Sequence, residues 1–369
     1  MNPARRRWLA ALAPLGVAAA WPGPAVGAGT VRRGRSLEFP RDHGAHLAAR
    51  TEWWYATGWV GGADPEKQPS HGFQVTFFRS RTGLAAGNPS RFAARQLLFA
   101  HAAITDLTAR RHYHDQRIAR WSGAAQAALG SASPDDAAVR LGRWWLRREG
   151  EVWRSVVEAG SFQLDLALER TQPLLLQGDA GFSRKGPDER QASHYYSEPQ
   201  LAATLRLAID GRPASAPAGG RAWIDHEWSD EILHPEAVGW DWIGINLFDG
   251  GALTAFVLRR RDGSALWAGG SYRAPEQPAR IFAADEVRFE PGRRWRSPQT
   301  AASYPVQWQL LTPAGRWQVR ALMDEQELDS RSSTGTVYWE GLSELLDGDG
   351  RRVGLGYLEM TGYAGALRL

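Results

Sequence analysis

Apolar and polar residues alternate along this chain with the two-residue period of a strand, and a convincing 3.6-residue helical period is nearly absent. Residues 52–60 (EWWYATGWV) put Trp53, Tyr55, Thr57 and Trp59 on one face. The segment GGADPEKQPS follows, and residues 71–79 then turn Phe73, Val75 and Phe77 to one side, which reads as a hairpin. An apolar run at 97–105 carries His101. Residues 143–149, 152–159 and 162–168 recur at hairpin spacing. In the last of these Phe162, Leu164, Leu166 and Leu168 oppose Gln163 and Asp165, the pattern of a half-buried antiparallel strand. Further strands are predicted at 201–209, 253–259, 266–272, 306–312, 317–323, 337–341 and 353–359. Residues 122–138, rich in Ala, Ser and Gly, are expected to form a surface loop or short helix. Residues 171–199 look too long for a turn and too aromatic for disorder, so a functional loop is expected there. Residues 213–220 read as a Pro/Ala/Gly linker. The fold class is all-β, with the strands arranged as two barrels or sandwiches.

Between the two strand sets lies the densest chemistry, RAWIDHEWSD at 221–230 and GWDWIGINL at 239–247. Alternation places Asp225 and Glu227 on one face with Trp223, and His226 on the other with Ile224 and Trp228. Asp241 points with Ile243 and Ile245 into an apolar layer, which makes it a candidate for a carboxyl of raised pKa.

The 18 Trp in 369 residues are an unusual number. Most are expected to fill the sheets, and about a third to line a ligand site. Arg5–Arg6–Arg7, the apolar run from Trp8 to Trp21 and the small residues Val26–Gly27–Ala28 have the form of an export signal, and the arginines fit a twin-arginine route. Residues 1–28 are therefore set apart, and a periplasmic mature chain is expected. Their removal takes three arginines and no acid, so the formal charge of +4 falls to +1. A nearly neutral chain gives no electrostatic case for nucleic acid. No later run is long enough for a transmembrane helix, while contact with a membrane or transporter stays open. With no Cys, the exported chain must stand without disulfides.

Several residues carry two readings. His43 and His46 could be half of a metal site, yet no second ligand pair of suitable spacing follows, so no metal or cofactor is expected and a loop or pocket-rim role is favoured. Glu52 is an additional acid of the pocket or an ion-pair partner of Arg79 or Arg117, the second being favoured. Glu227 is a further acid. His101 reads as a satisfied core histidine, and Lys185 as a cavity guard or a solvated loop residue. No G-x-S-x-G elbow supports serine hydrolase chemistry.

Several long stretches, EWWYATGWV, HGFQVTFFR, FAHAAITD, QGDAGFSRKG, ASHYYSEPQL, AWIDHEWSDEIL and GWDWIGINL, resemble the AttH/CrtC-type family of carotenoid 1,2-hydratases (hydroxyneurosporene synthases) and predicted secreted hydrolases. The resemblance runs from about residue 42 to 363. It implies two consecutive lipocalin-like antiparallel β-barrel domains, 36–228 and 229–369, an apolar terpenoid or lipid-like ligand, and cofactor-free hydration or related acid–base chemistry. Such chemistry requires an acid still neutral near pH 7, aromatic faces for a cation, and a base for water. Asp225 or Asp241 is expected as acid, His226 as base, and Trp228, Trp240 or Trp242 as the cation-facing wall. Trp54, Tyr195 and Tyr196 complete the expected ligand contacts. The alternative is a periplasmic carrier in which Asp, His and Trp form only a satisfied polar network.

Overall fold

The computed structural model describes residues 30–83, 87–88, 90, 93–124, 129–213, 216–231 and 233–367; the export-signal segment lies outside them. Apart from one 3₁₀ turn at Arg41–His43, the regular elements among the described residues are strands. They form two large antiparallel sheets. The first runs from Thr51–Gly61 to Ala218–Ser229 and curls into a nearly closed barrel. The second begins at Ala237–Leu247 and ends with Arg352–Met360.

In the first sheet the polar strand Arg111–Trp121 goes unmarked by the alternation, because it lies at an edge with most side chains half-buried or exposed. Two segments expected as irregular are regular. The end of the 171–199 stretch, from Ala192 on, belongs to an 18-residue strand, Ala192–Ile209, whose register slips between Glu198 and Leu201. The supposed linker at 213–220 instead joins this strand to its antiparallel neighbour Ala218–Ser229. Pro, Ala and Gly there mark a hairpin connection rather than a domain boundary. Strand Gly130–Ala132 lies within the expected loop at 122–138.

Period-two alternation sorts each strand's residues into an inner and an outer set. Inside the first barrel pack Trp54, Ala56, Val75, Trp121, Trp144, Trp153 and Ile224, so the lumen is filled with side chains. Ile243, Ile245, Leu310, Trp339 and Leu358 fill the second. A third apolar layer, including Trp59, Trp223, Phe256, Leu342 and Tyr357, is drawn from outer faces of both sheets and glues the barrels together. A Cβ at Gly72 would stand 2.7 Å from the Tyr357 hydroxyl and 3.0 Å from Leu342, so only glycine permits this approach. Polar locks fix the same junction. The Gln200 backbone N–H donates to Asn246 Oδ1 (2.7 Å), and Asn246 Nδ2 donates to the Ala222 carbonyl (3.0 Å). Buried and mutually satisfied, these groups specify one relative placement of the barrels.

Candidate active site between the barrels

The strand Ala218–Ser229 has chemistry on both faces, and the two faces serve different places. On the inner face His226 Nε2 lies 3.0 Å from Glu52 Oε1, and His46 Nδ1 lies 2.7 Å from the same oxygen. Arg79 Nε donates to Glu52 Oε2 at 2.7 Å, the ion pair expected from the sequence. Asp42 takes the other nitrogen of His46 (3.0 Å), while Tyr196 Oη joins His226 to His43. Trp228 stacks flat on His46 and Trp54 on His226. Burial raises the Glu52 pKa, but Arg79 and the two imidazoles outweigh it and hold the carboxyl below its ordinary range. Burial lowers the pKa of His226, keeping the ring neutral. The ligand atoms of His46, Glu52 and His226 fall within 4.8 Å of one another, a donor set that could hold a metal ion. Arg79 already neutralises that carboxylate and would oppose a cation.

On the outer face cross-strand pairing builds one wall of a cavity of about 280 Å³ between the barrels. One row runs Asp225, Tyr55, Thr76, His101 across four neighbouring strands. The next, two residues along each strand, runs Tyr195, Glu227, Trp53, Phe78, Phe99. The opposite wall is a row of the second sheet, Phe256, Trp242, Glu359, Glu340, with Leu258 and Trp240 beside it. All of these residues line the cavity.

Asp225 accepts from Tyr195 Oη (2.7 Å), Ser197 Oγ (2.5 Å) and Trp223 Nε1 (2.7 Å). Trp242 Nε1 donates in turn to Tyr195 Oη at 3.2 Å, which orients the tyrosine proton toward Asp225. Against these donors burial prevails and pushes the Asp225 carboxyl up to about 7, with the Glu227 charge adding to the rise. Glu227 pairs with Lys185 Nζ at 2.9 Å, and that ammonium lies over the Tyr195 and Phe256 rings. Burial also pushes Glu359 up to about 7. Glu340 stands well above its ordinary range through burial and then through the charge of Glu359. The arrangement is an aromatic chamber holding carboxyls that keep protons near neutrality.

The expected site residues thus divide among three places. Asp225, Glu227, Tyr195, Trp240 and Trp242 meet at the cavity, and Glu52 with Arg79 borders it. His226, Trp54, Tyr196 and Trp228 are fully buried on the inner side and do not line it. Asp241 is not a cavity residue either. It faces the interior of the second barrel, where Arg259 Nε lies 2.7 Å from Oδ2 and Tyr363 donates to Oδ1 at 3.0 Å. Burial still raises it to about 6 although Arg259 opposes the shift. Of the 18 Trp, three line the cavity: Trp53, Trp240 and Trp242. His101 reaches across to Tyr338 (2.8 Å) and Ser333 (2.9 Å), a satisfied residue of the junction as well as of the cavity. Tyr55, Trp53, Glu340 and Glu359 went unmarked. Tyr55 and Trp53 alternate with Trp54, and each acid sits within a mostly apolar strand run, VYWEGL and VGLGYLEM.

The AttH-like family profile matches residues 30–363. The chain belongs to the AttH-like family. A solved structure of a candidate AttH from Nitrosomonas europaea is 46% identical to this AttH-like chain, with a TM-score of 0.82 over 90% of this chain and 98% of that one. Kievitone hydratase from Nectria haematococca shares the fold at 14% identity, with a TM-score of 0.64 over 89% of this chain and 94% of that one. A structure of CghA aligns at 13% identity and a TM-score of 0.51, covering 90% and 95%. Comparison with curated proteins gives no match. The fold expectation, all-β with lipocalin-like barrels, agrees with this AttH-like architecture.

Proposed function

We propose that this AttH-like protein catalyses cofactor-free hydration, or the reverse dehydration, of an apolar, terpenoid-like molecule held between its barrels. The observation that carries the reading is Asp225: a buried carboxyl at the centre of an aromatic chamber, held near a pKa of 7 and aimed by three donors. An alkene is a weak base, so its protonation needs an acid that is still neutral at working pH. The Asp225 carboxyl gives its proton to one alkene carbon, and the tertiary cation formed at the other faces the rings of Trp53, Trp242 and Phe256. A water molecule adds its oxygen to the cation and releases a proton to the Asp225 carboxylate. The acid is regenerated, and the product has gained one H and one OH. His226 is spared this work, since its ring lies behind the wall on Glu52. That a hydratase shares the fold supports the reaction class. The segment from Arg5 to Ala28 supports export to the periplasm.

Incubating the purified protein with acyclic terpenes in D₂O and following deuterium at carbon tests the reading. Incorporation that disappears in Asp225→Asn is expected. Tight ligand binding without exchange in the wild type would make the protein a carrier.

A further inference from the structure

Each wall of this cavity contains a polar atom without a regular hydrogen bond: Tyr55 stands directly across from Asp225 on the first-barrel wall, and Glu340 lies on the second. Tyr55 is 6% exposed and Glu340 2% exposed, and although the two side chains face each other across the cavity, neither Tyr55 Oη nor Glu340 Oε1 makes a hydrogen bond of regular geometry among the described residues. Both line the cavity. Glu340 sits directly across from Glu359 on the neighbouring strand, so the two carboxyls share one face. The indole of Trp240 engages Glu359, while Glu340 faces the Tyr55 hydroxyl. A buried polar atom without a partner is costly, and native structures rarely keep one without a reason. Among the described residues, the only other cation at this cavity besides Arg79 is Lys185, and it is committed to Glu227.

We infer that Tyr55, Glu340 and Glu359 form a hydroxyl-recognising subsite, so that the ligand is an apolar molecule bearing an alcohol or phenol held between the two walls. Two adjacent carboxyls in a low-dielectric wall cannot both ionise easily, so the pair keeps a proton and offers a donor beside an acceptor. A hydroxyl group is the neutral complement of that pattern, because it both gives and takes a hydrogen bond. An ether lacks the donor. An ammonium offers donors only and would be favoured by ionised acids. The inference rests on the inter-barrel cavity being the ligand site, but not on any turnover there.

Its test is a binding series with farnesol, farnesyl methyl ether and farnesylamine at pH 7, read by quenching of tryptophan fluorescence. Farnesol is expected to bind about tenfold more tightly than the ether, the discrimination of one well-made hydrogen bond to a buried group. Tyr55→Phe and Glu340→Gln should collapse that ratio toward one, with melting temperatures recorded to confirm folding. Equal binding of alcohol and ether by the wild type would overturn the subsite alone. Amine binding at least tenfold tighter than alcohol would also overturn it, as the mark of a cation-binding, ionised pair. Failure of all three probes to bind would overturn the apolar-ligand reading of the cavity, and the subsite with it.

Discussion

The two faces of the Ala218–Ser229 strand hold similar residues and use them in opposite ways. Inside the first barrel Glu52 meets Arg79 and two imidazoles, and its charge is stabilised. Outside it, Asp225 meets a phenol, an alcohol and an indole, all neutral, and its charge is disfavoured. Both carboxyls are buried, so burial alone does not decide the outcome. The partners decide it. A cation within hydrogen-bond reach outweighs desolvation, whereas neutral donors only moderate it. The inner face therefore reads as structure and the outer as chemistry, and the identity of the neighbours separates them better than the identity of the acids.

The sharpest way to break this comparison is to remove each acid's function in turn. Asp225→Asn keeps the shape and removes the transferable proton, so turnover of a hydratable alkene should fall by about 10²–10⁴-fold with ligand affinity nearly unchanged. Arg79→Met should act in the other currency. It strands Glu52 in the barrel interior, and denaturant unfolding should report a loss of about 3–5 kcal/mol. Turnover per folded molecule unchanged in Asp225→Asn would reverse the assignment of the two faces.

How far the sequence foresaw this division depends on the kind of signal. Alternation located most of the strands, and it correctly put Asp225 and Glu227 opposite His226. What it could not say is which face looks into a filled lumen and which toward a second barrel, because both faces of this strand are apolar and buried. For the same reason Asp225, His226 and Asp241, neighbours in sequence, looked like one constellation. Sheet closure carries them to three different places. Glu340 and Glu359 were invisible for a further reason: the pair exists only through the register of two late strands.

Smaller effects sharpen the picture. His226→Ala should lower stability by about 1–3 kcal/mol, through the unsatisfied Glu52 and Tyr196 groups, and leave turnover in place. Asp241→Asn should behave similarly by loosening Arg259, and a loss of turnover there without a loss of stability would restore it to the chemistry. The pH dependence of melting should then separate the faces by sign. The Asp225 pKa is raised in the folded state from 3.8 to about 7. Its stabilising contribution is thus complete below about pH 4 and is lost as pH rises toward 7, by at most on the order of 4 kcal/mol. Glu52 is shifted the other way. Its contribution is present above the ordinary carboxylate range and is lost on acidification. Asp225→Asn should accordingly flatten the decline in melting temperature between about pH 4 and 7 (the window between the ordinary and the raised value), while Glu52→Gln should flatten the acid limb.

The protonation of Asp225 itself is the most direct measurement. Infrared difference spectra of wild type against Asp225→Asn, taken across pH 4 to 9, isolate the stretching band of that one carboxyl. A protonated band that persists through pH 6 and is half lost near pH 7 is the predicted result. A carboxyl already ionised at pH 5 would contradict the account, because the cavity would then hold no neutral acid on its first-barrel wall.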